Sequence, residues 1–272
     1  MDEYEGYSDD FEYEDKERPP DPAQEQARER LRKYFEDKKE AVFFSRQIEV
    51  QFENDFFHWI TNRALTDLID EGLLQSEKRE LTTGGTIKLM WNRRYRYYKR
   101  AANRVVALVE EYADPNIGAS LGLVGEMLVL EGFARKEFVM KDRNTNVYGG
   151  RKWTESGHDL DFIFWRDSVA YGVEVKNKLG YMEYDEFKTK IRLCIKLGIL
   201  PVFVVRMIPK NWIHELSQAG GFALILKYQL YPWTHRKLAV RVAKEFGVPV
   251  DAPKSLYEGT MERFMRWHKK NV

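Results

Sequence analysis

The sequence predicts an α/β protein, with a mixed sheet flanked by helices and a smaller α+β domain before it. Three observations carry that prediction. Residues 159–178, DLDFIFWRDSVAYGVEVKNK, hold two apolar runs, 162–165 and 169–175, around the polar turn Arg166-Asp167-Ser168, which is the pattern of a β-hairpin. A helical stretch at 184–197 and the apolar strand PVFVVRM follow it; a hairpin, a helix and then a buried strand build a mixed sheet with helices on its faces. Upstream, three helical segments lead into two short strands around Gly84-Gly85, a strong hairpin turn signal.

The elements read in order as follows. Residues 1–20 carry nine acids and two bases, a net of −7 in a chain whose total is +1. The remainder is therefore near +8, a balance that suits a polyanionic partner. Such a charge run with little aliphatic content predicts a disordered tail, residues 1–22, closed by Pro19, Pro20 and Pro22. A charged helix at 23–40 is marked by Leu31, Tyr34 and Phe35, and Ser45 is placed to N-cap a second helix to residue 52. Residues 57–74 then carry Ile60, Ala64, Leu65, Leu68 and Ile69 at helical spacing, with Gly72 as terminator. The hairpin closes a domain spanning residues 23–92.

Residues 93–104, RRYRYYKRAANR, bring six bases and no acid, interleaved with Tyr95, Tyr97 and Tyr98. The run continues as VVALVEEY, so it reads as one helix, a basic linker over residues 93–116. Bases at a helix start oppose the macrodipole, so their density there has no helix-stability reason. Guanidinium groups pair with phosphates and tyrosine rings stack on bases. Nucleic-acid contact is therefore expected from Arg93, Arg94, Arg96, Lys99 and Arg100.

The remaining domain, residues 117–272, starts with a helix at 119–133 whose stripe is Leu123, Met127, Leu130 and Phe133, then a strand at 135–141. After the hairpin come the helix at 184–197, with Cys194 on its apolar stripe, the strand PVFVVRM, a short helix at 212–218 and the strand GFALILKY. The last 40 residues read as helices packing back on the body.

Other limits are broader. One cysteine excludes a disulfide framework and a multi-thiolate zinc site, and points to a reducing, cytoplasmic setting. No apolar run approaches the length of a membrane span. The acidic N-terminus does not read as a signal peptide.

The hairpin concentrates the chemistry. Glu174 and Lys176 are two apart on one strand and so share a face, while Val173 and Val175 take the other. Asp161 starts the neighbouring strand. Charges inside such strands are costly to bury unless paired or metal-bound. An acid and a lysine beside an aspartate suit a divalent cation and a scissile phosphate.

Asp161, followed thirteen positions later by Glu174-Val175-Lys176, resembles the D…E-x-K motif of the PD-(D/E)XK nuclease superfamily, the restriction-endonuclease-like and archaeal resolvase-like fold. The likeness covers about residues 117–230. Leu160 stands where the family name has proline, and Asp159 is a competing acid two residues back. The resemblance implies a metal-dependent deoxyribonuclease. It gives Asp161, Glu174 and the Val175 carbonyl as ligands to Mg²⁺, with Mn²⁺ as a substitute. Lys176 would orient water or stabilise the phosphorane charge. It also implies Glu126 as a fourth acid, since many members place a glutamate of the first helix at the metal. Lys190 falls where the family often has Gln or Lys, and Lys178 and Lys190 are expected to contact DNA or to form a solvated face. Family members often dimerise, so a homodimer is the expected partner besides DNA.

Residues 25–92 resemble a winged helix-turn-helix domain, with RALTDLIDEGLL as recognition helix running into the wing. That likeness implies DNA contacts from His58, Thr61, Asn62 and Arg63, and wing contacts from Lys78, Arg79 and Lys88. Two alternatives stand beside this reading. One is a DNA-binding regulator or adaptor with an inactive nuclease fold. The other is an RNA-processing nuclease using the same site.

Overall fold

The computed structural model describes residues 21–271; the expected acidic tail falls almost wholly outside them. The chain divides into two compact units: one runs to Pro115 and includes Lys244–Val248, and the other takes Asn116–Ala243 and the residues from Pro249 onward. The basic segment expected to be a linker thus belongs to the first unit.

The first unit is built from α1 (Pro22–Asp37), β1 (Val42–Phe44), α2 (Ser45–Phe52), α3 (His58–Asp70), β2 (Leu74–Glu80), β3 (Thr86–Asn92) and α4 (Tyr98–Tyr112). Asp21 caps α1 by accepting from Ala23 N–H, and Pro22 supplies a helix-ready φ at the first position. Leu31, Phe35, Ile48, Phe52, Ile60, Leu65, Leu68 and Met90 form the core. The antiparallel sheet has the order β1-β3-β2. Strand β1 was not expected, because three residues are too few for a periodic signal. Ser45 does not cap α2: it is the first helical residue, and Phe44 holds the cap position. The basic run 93–97 precedes α4 rather than starting it, so the macrodipole does not oppose most of those charges.

The second unit begins with α5 (Pro115–Arg135), β4 (Val139–Thr145), the small hairpin β5 (Val147–Tyr148) and β6 (Arg151–Lys152), then β7 (Leu160–Arg166) and β8 (Val169–Lys176). It continues through α6 (Tyr184–Leu197), β9 (Leu200–Val205), α7 (Lys210–Gln218), β10 (Phe222–Ile225), β11 (Gln229–Leu230), α8 (Arg236–Phe246), β12 (Val250–Asp251) and α9 (Glu258–Asn271). A five-stranded mixed sheet runs β10-β9-β8-β7-β4. Strands β4, β7 and β8 pair antiparallel, and β8, β9 and β10 pair parallel. The mixed α/β expectation for this part of the chain therefore stands.

Strand alternation sorts the side chains into two layers. Phe162, Phe164, Tyr171, Val173, Val175, Val202 and Val204 pack on one face with Val129 and Phe133 of α5 and Phe264 of α9. Phe203 and Val205 pack on the other face with Phe187 and Ile191 of α6. Asp167 and Ser168 both have positive φ, at 48° and 65°, the backbone of a two-residue primed turn. Gly172 lets α6 approach the sheet: a Cβ there would meet Cys194 Sγ at 2.6 Å and Leu160 Cδ1 at 2.8 Å.

Strand β4 lies later than expected, because residues 135–138 finish α5 and its turn. It forms the exposed sheet edge and is bulged between Met140 and Asp142. The stripe expected on α5 is also corrected. Phe133 is buried as expected, but Leu123 and Met127 are 54% and 58% exposed, and Leu121, Gly125, Leu128 and Val129 turn inward instead. Helix α5 is nevertheless long and apolar enough by composition to cross a bilayer. The sequence reading did not anticipate this, because glycines and a serine break up the apolar run.

Candidate active site

The site forms where β7 and β8 stop exchanging backbone bonds. Their last registered pair at this end is Phe162 with Val173, so continuing the register sets Asp161 opposite Glu174 on one face. Beyond the pair, Asp161 Oδ2 takes the place of a strand partner and accepts from Val175 N–H at 2.6 Å. On β9, Phe203 stands beside Glu174, which places the two acids on the layer covered by α6.

Glu174 is only 1% exposed. Lys190 of α6, itself 5% exposed, donates to Glu174 Oε2 at 2.6 Å and also to the Asp159 carbonyl. Lys176 Nζ lies 2.9 Å from Glu174 Oε1 and 2.7 Å from Glu186 Oε1. Both Glu174 oxygens thus face an ammonium, Oε2 that of Lys190 and Oε1 that of Lys176, the pairing that a buried carboxylate requires.

The electrostatics follow from this packing. Burial, and then the charge of Glu174, push the Asp161 carboxyl up to about 7; the Val175 N–H and the two lysines oppose them. Burial works against the Lys176 ammonium, but Glu174 and Glu186 outweigh it and raise its pKa. Burial likewise works against ionised Glu186, and the hydrogen bond and charge of Lys176 lower it overall. Near pH 7 the Asp161 carboxyl is therefore about half protonated beside these charges.

The expected residues fare differently. Asp161, Glu174 and Lys176 come together. Val175 supplies its N–H to Asp161 and sends its side chain into the opposite core. Asp159 is exposed and contributes its carbonyl to Lys190 rather than a carboxylate to the pair. Glu126 lies 3.8 Å from Arg143, which pairs with Phe162 beside Asp161, so it stands at the same end of the sheet as the acid pair. Among the described residues, no group of three or more acids, histidines or cysteines is placed to hold a metal.

Lys190 is a correction of another kind. It was read as a DNA contact or a solvated base, yet it is buried against Glu174. The signal was present, because Lys190 lies three after Phe187 and four before Cys194, on the inward stripe of α6. Glu186 was missed and carries no such signal. Lys178 is half-buried, and its charge reaches Glu186.

In the first unit, Arg93, Arg94, Arg96, Lys99 and Arg100 are exposed, and Asn62, Lys78, Arg79 and Lys88 are at least partly so. Arg63 is exposed and stacks over the Trp59 ring at 5.0 Å. His58 and Thr61 are buried and so withdraw from the expected contact face; the packing face of α3 is wider than its aliphatic residues alone suggest. Exposed Phe57 and Trp59, stacked on each other, occupy the outer face instead.

No family model matches this chain, and no curated protein matches it. Among solved structures, it is similar to the crystal structure of protein VC1899 from Vibrio cholerae, at 14% identity and a TM-score of 0.27. The match covers 85% of this chain and 52% of that one, so this chain spans about half of its length. A likeness that faint carries no argument about fold or activity.

Proposed function

We propose that the chain is a metal-dependent nuclease that hydrolyses DNA phosphodiester bonds, with a restriction-endonuclease-like second unit and a winged-helix first unit that binds DNA. One observation carries this reading: Asp161 faces Glu174 across a strand pair, with Lys176 two residues on and its ammonium against the Glu174 carboxylate. Asp161 and Glu174, with the Val175 carbonyl, form a hard-oxygen donor set. Two carboxylates suffice for Mg²⁺, which ordinarily keeps several of its waters. When bound, such an ion supplies Lewis acidity and a more acidic water.

The protein's own groups do the rest. Burial holds the Asp161 carboxyl at about 7 until an ion displaces its proton. Lys176 stays charged and stabilises negative charge growing on the phosphate oxygens. Lys190 fixes the Glu174 rotamer from behind. The exposed bases of residues 93–100 offer phosphate contacts. A winged helix in a major groove favours duplex DNA over RNA, whose deep groove does not admit a helix.

The closed charge network Lys190–Glu174–Lys176–Glu186 supports a second reading, a DNA-binding adaptor whose nuclease fold is inactive. One experiment separates the two. Plasmid, flapped, junction and single-stranded DNA are incubated with Mg²⁺ or Mn²⁺, beside Glu174→Gln and Lys176→Ala. Metal-dependent cutting that both substitutions abolish supports the nuclease. No cutting of any substrate, or equal cutting by both variants, overturns it.

A further inference from the structure

At the far end of the β7–β8 hairpin, the second unit has a cavity of about 430 Å³ lined by five bases, Arg135, Lys136, Arg166, Arg266 and Lys269. Arg166 ends β7 while Asp161 lies near its start. Five residues of strand separate them by about 17 Å, so this is a different place from the candidate active site.

The bases come from three elements and differ in their pairing. Arg135 is engaged by Glu131 and Glu258, and Lys136 by Glu258. Arg166 is fixed by the Lys136 carbonyl, by the Phe138 ring beneath it at 5.3 Å, by Asp167 at 3.1 Å and by Glu137 at 3.6 Å. Arg266 and Lys269 have no ion-pair partner among the described residues, although Glu137 and Glu262 also line the cavity. The helix dipole accounts for Lys269 in the last turn of α9. It does not account for Arg266 a turn earlier, nor for a guanidinium brought from a strand end. Behind this wall the buried His268 ring joins Asp167 Oδ2 at 2.9 Å to the Tyr171 hydroxyl at 2.6 Å, which braces α9 against the hairpin turn. The lining is thus held in place before any ligand arrives, with Arg266 and Lys269 as its two bases outside these ion pairs.

We propose that this cavity is an anion site for a terminal phosphate or compact polyphosphate. Arg266 presents a planar fork that matches phosphate oxygens two at a time, and Lys269 adds a second charge beside it. The volume suits a small molecule, and the single apolar lining residue, Met265, offers little to a hydrophobic ligand. Free phosphate compounds and the phosphorylated end of a nucleic acid share this chemistry. The inference holds whether or not the Asp161–Glu174 site cuts.

The test is calorimetric titration of the full chain with inorganic pyrophosphate in EDTA. The variants are Arg266→Gln/Lys269→Gln, with thermal unfolding as a folding check, and Lys176→Ala as a control for the other site. Binding should weaken at least 10-fold in the double variant and hold in the control. No binding to the wild type at millimolar pyrophosphate, unchanged binding in the double variant, or an equal loss in Lys176→Ala would each overturn the proposal. Competition then assigns the source. Displacement of pyrophosphate by a 5′-phosphorylated oligonucleotide, but not by its 5′-hydroxyl form, marks a nucleic-acid end. Retention of pyrophosphate against both marks a free phosphate compound. Either result is consistent with the site.

Discussion

Lys190 Nζ meets Glu174 Oε2 at 2.6 Å with both side chains buried. Breaking such a pair destabilises a protein by about 3–5 kcal/mol when the remaining charge is left alone; Lys176 still faces Glu174 here, so the lower end of that range applies. Lys190→Met should therefore lower the unfolding free energy by roughly that amount in urea titrations run in EDTA. Glu174→Gln/Lys190→Met should lose less than Lys190→Met alone, because the stranded charge is gone. A Lys190→Met protein as stable as wild type would contradict the burial of this pair.

The Asp161 carboxyl, raised to about 7, links stability to pH with a definite sign. Its native pKa lies above the unfolded value near 4, so the native state holds the extra proton between the two. The contribution is fully present below about pH 4 and is lost as pH rises through 7, an effect on the order of 4 kcal/mol. Asp161→Asn should flatten the decline between pH 5 and 8. An identical pH profile for both proteins would show that Asp161 titrates normally.

If Asp161 and Glu174 receive a divalent ion, the ion must displace that proton. Mg²⁺ titrated at pH 6 should release close to one proton per ion bound, read as a difference in heat between two buffers of unlike ionisation enthalpy. Asp161→Asn should abolish the difference.

Gly172 sits two residues before Glu174 under Cys194, where a Cβ would meet Sγ at 2.6 Å. Gly172→Ala should destabilise the protein by about 1–3 kcal/mol through overpacking. The added substitution Cys194→Ala should restore part of that loss. Failure of the pair to couple in chemical denaturation would place α6 farther from the sheet.

Arg93, Arg94 and Arg96 are exposed and precede α4. If each meets one phosphate, replacing all three by glutamine should reduce the slope of log affinity against log salt by roughly 2.7 for duplex DNA. Binding measured by fluorescence anisotropy at several salt concentrations reads this directly. An unchanged slope would remove the segment from the DNA interface.

Much of the second unit was legible, because its elements have strong local patterns. Asp161, Glu174 and Lys176 stand out as charges in apolar strands, and the Asp167-Ser168 turn punctuates them. Leu123 and Met127 misled, because composition does not say which apolar face of α5 meets the sheet. His58 and Thr61 misled in the opposite sense, since polar residues on a helix read as outward until tertiary packing closes over them. The β11–β12 pairing, between Gln229–Leu230 and Val250–Asp251, joins two-residue strands across α8. No window of sequence holds that information. The basic cavity was equally hidden, for its lysines and arginines converge only when the end of α5, the hairpin turn and α9 meet.

Strand β4 ends the sheet with a bulge and with Lys141, Asp142 and Arg143 in succession. A sixth strand from a neighbouring molecule would meet a kinked backbone and would have to strip water from three charges. Copies of this protein crowded together therefore meet a barrier to sheet-zipping at this edge, where β4 acts as a guard against self-templating.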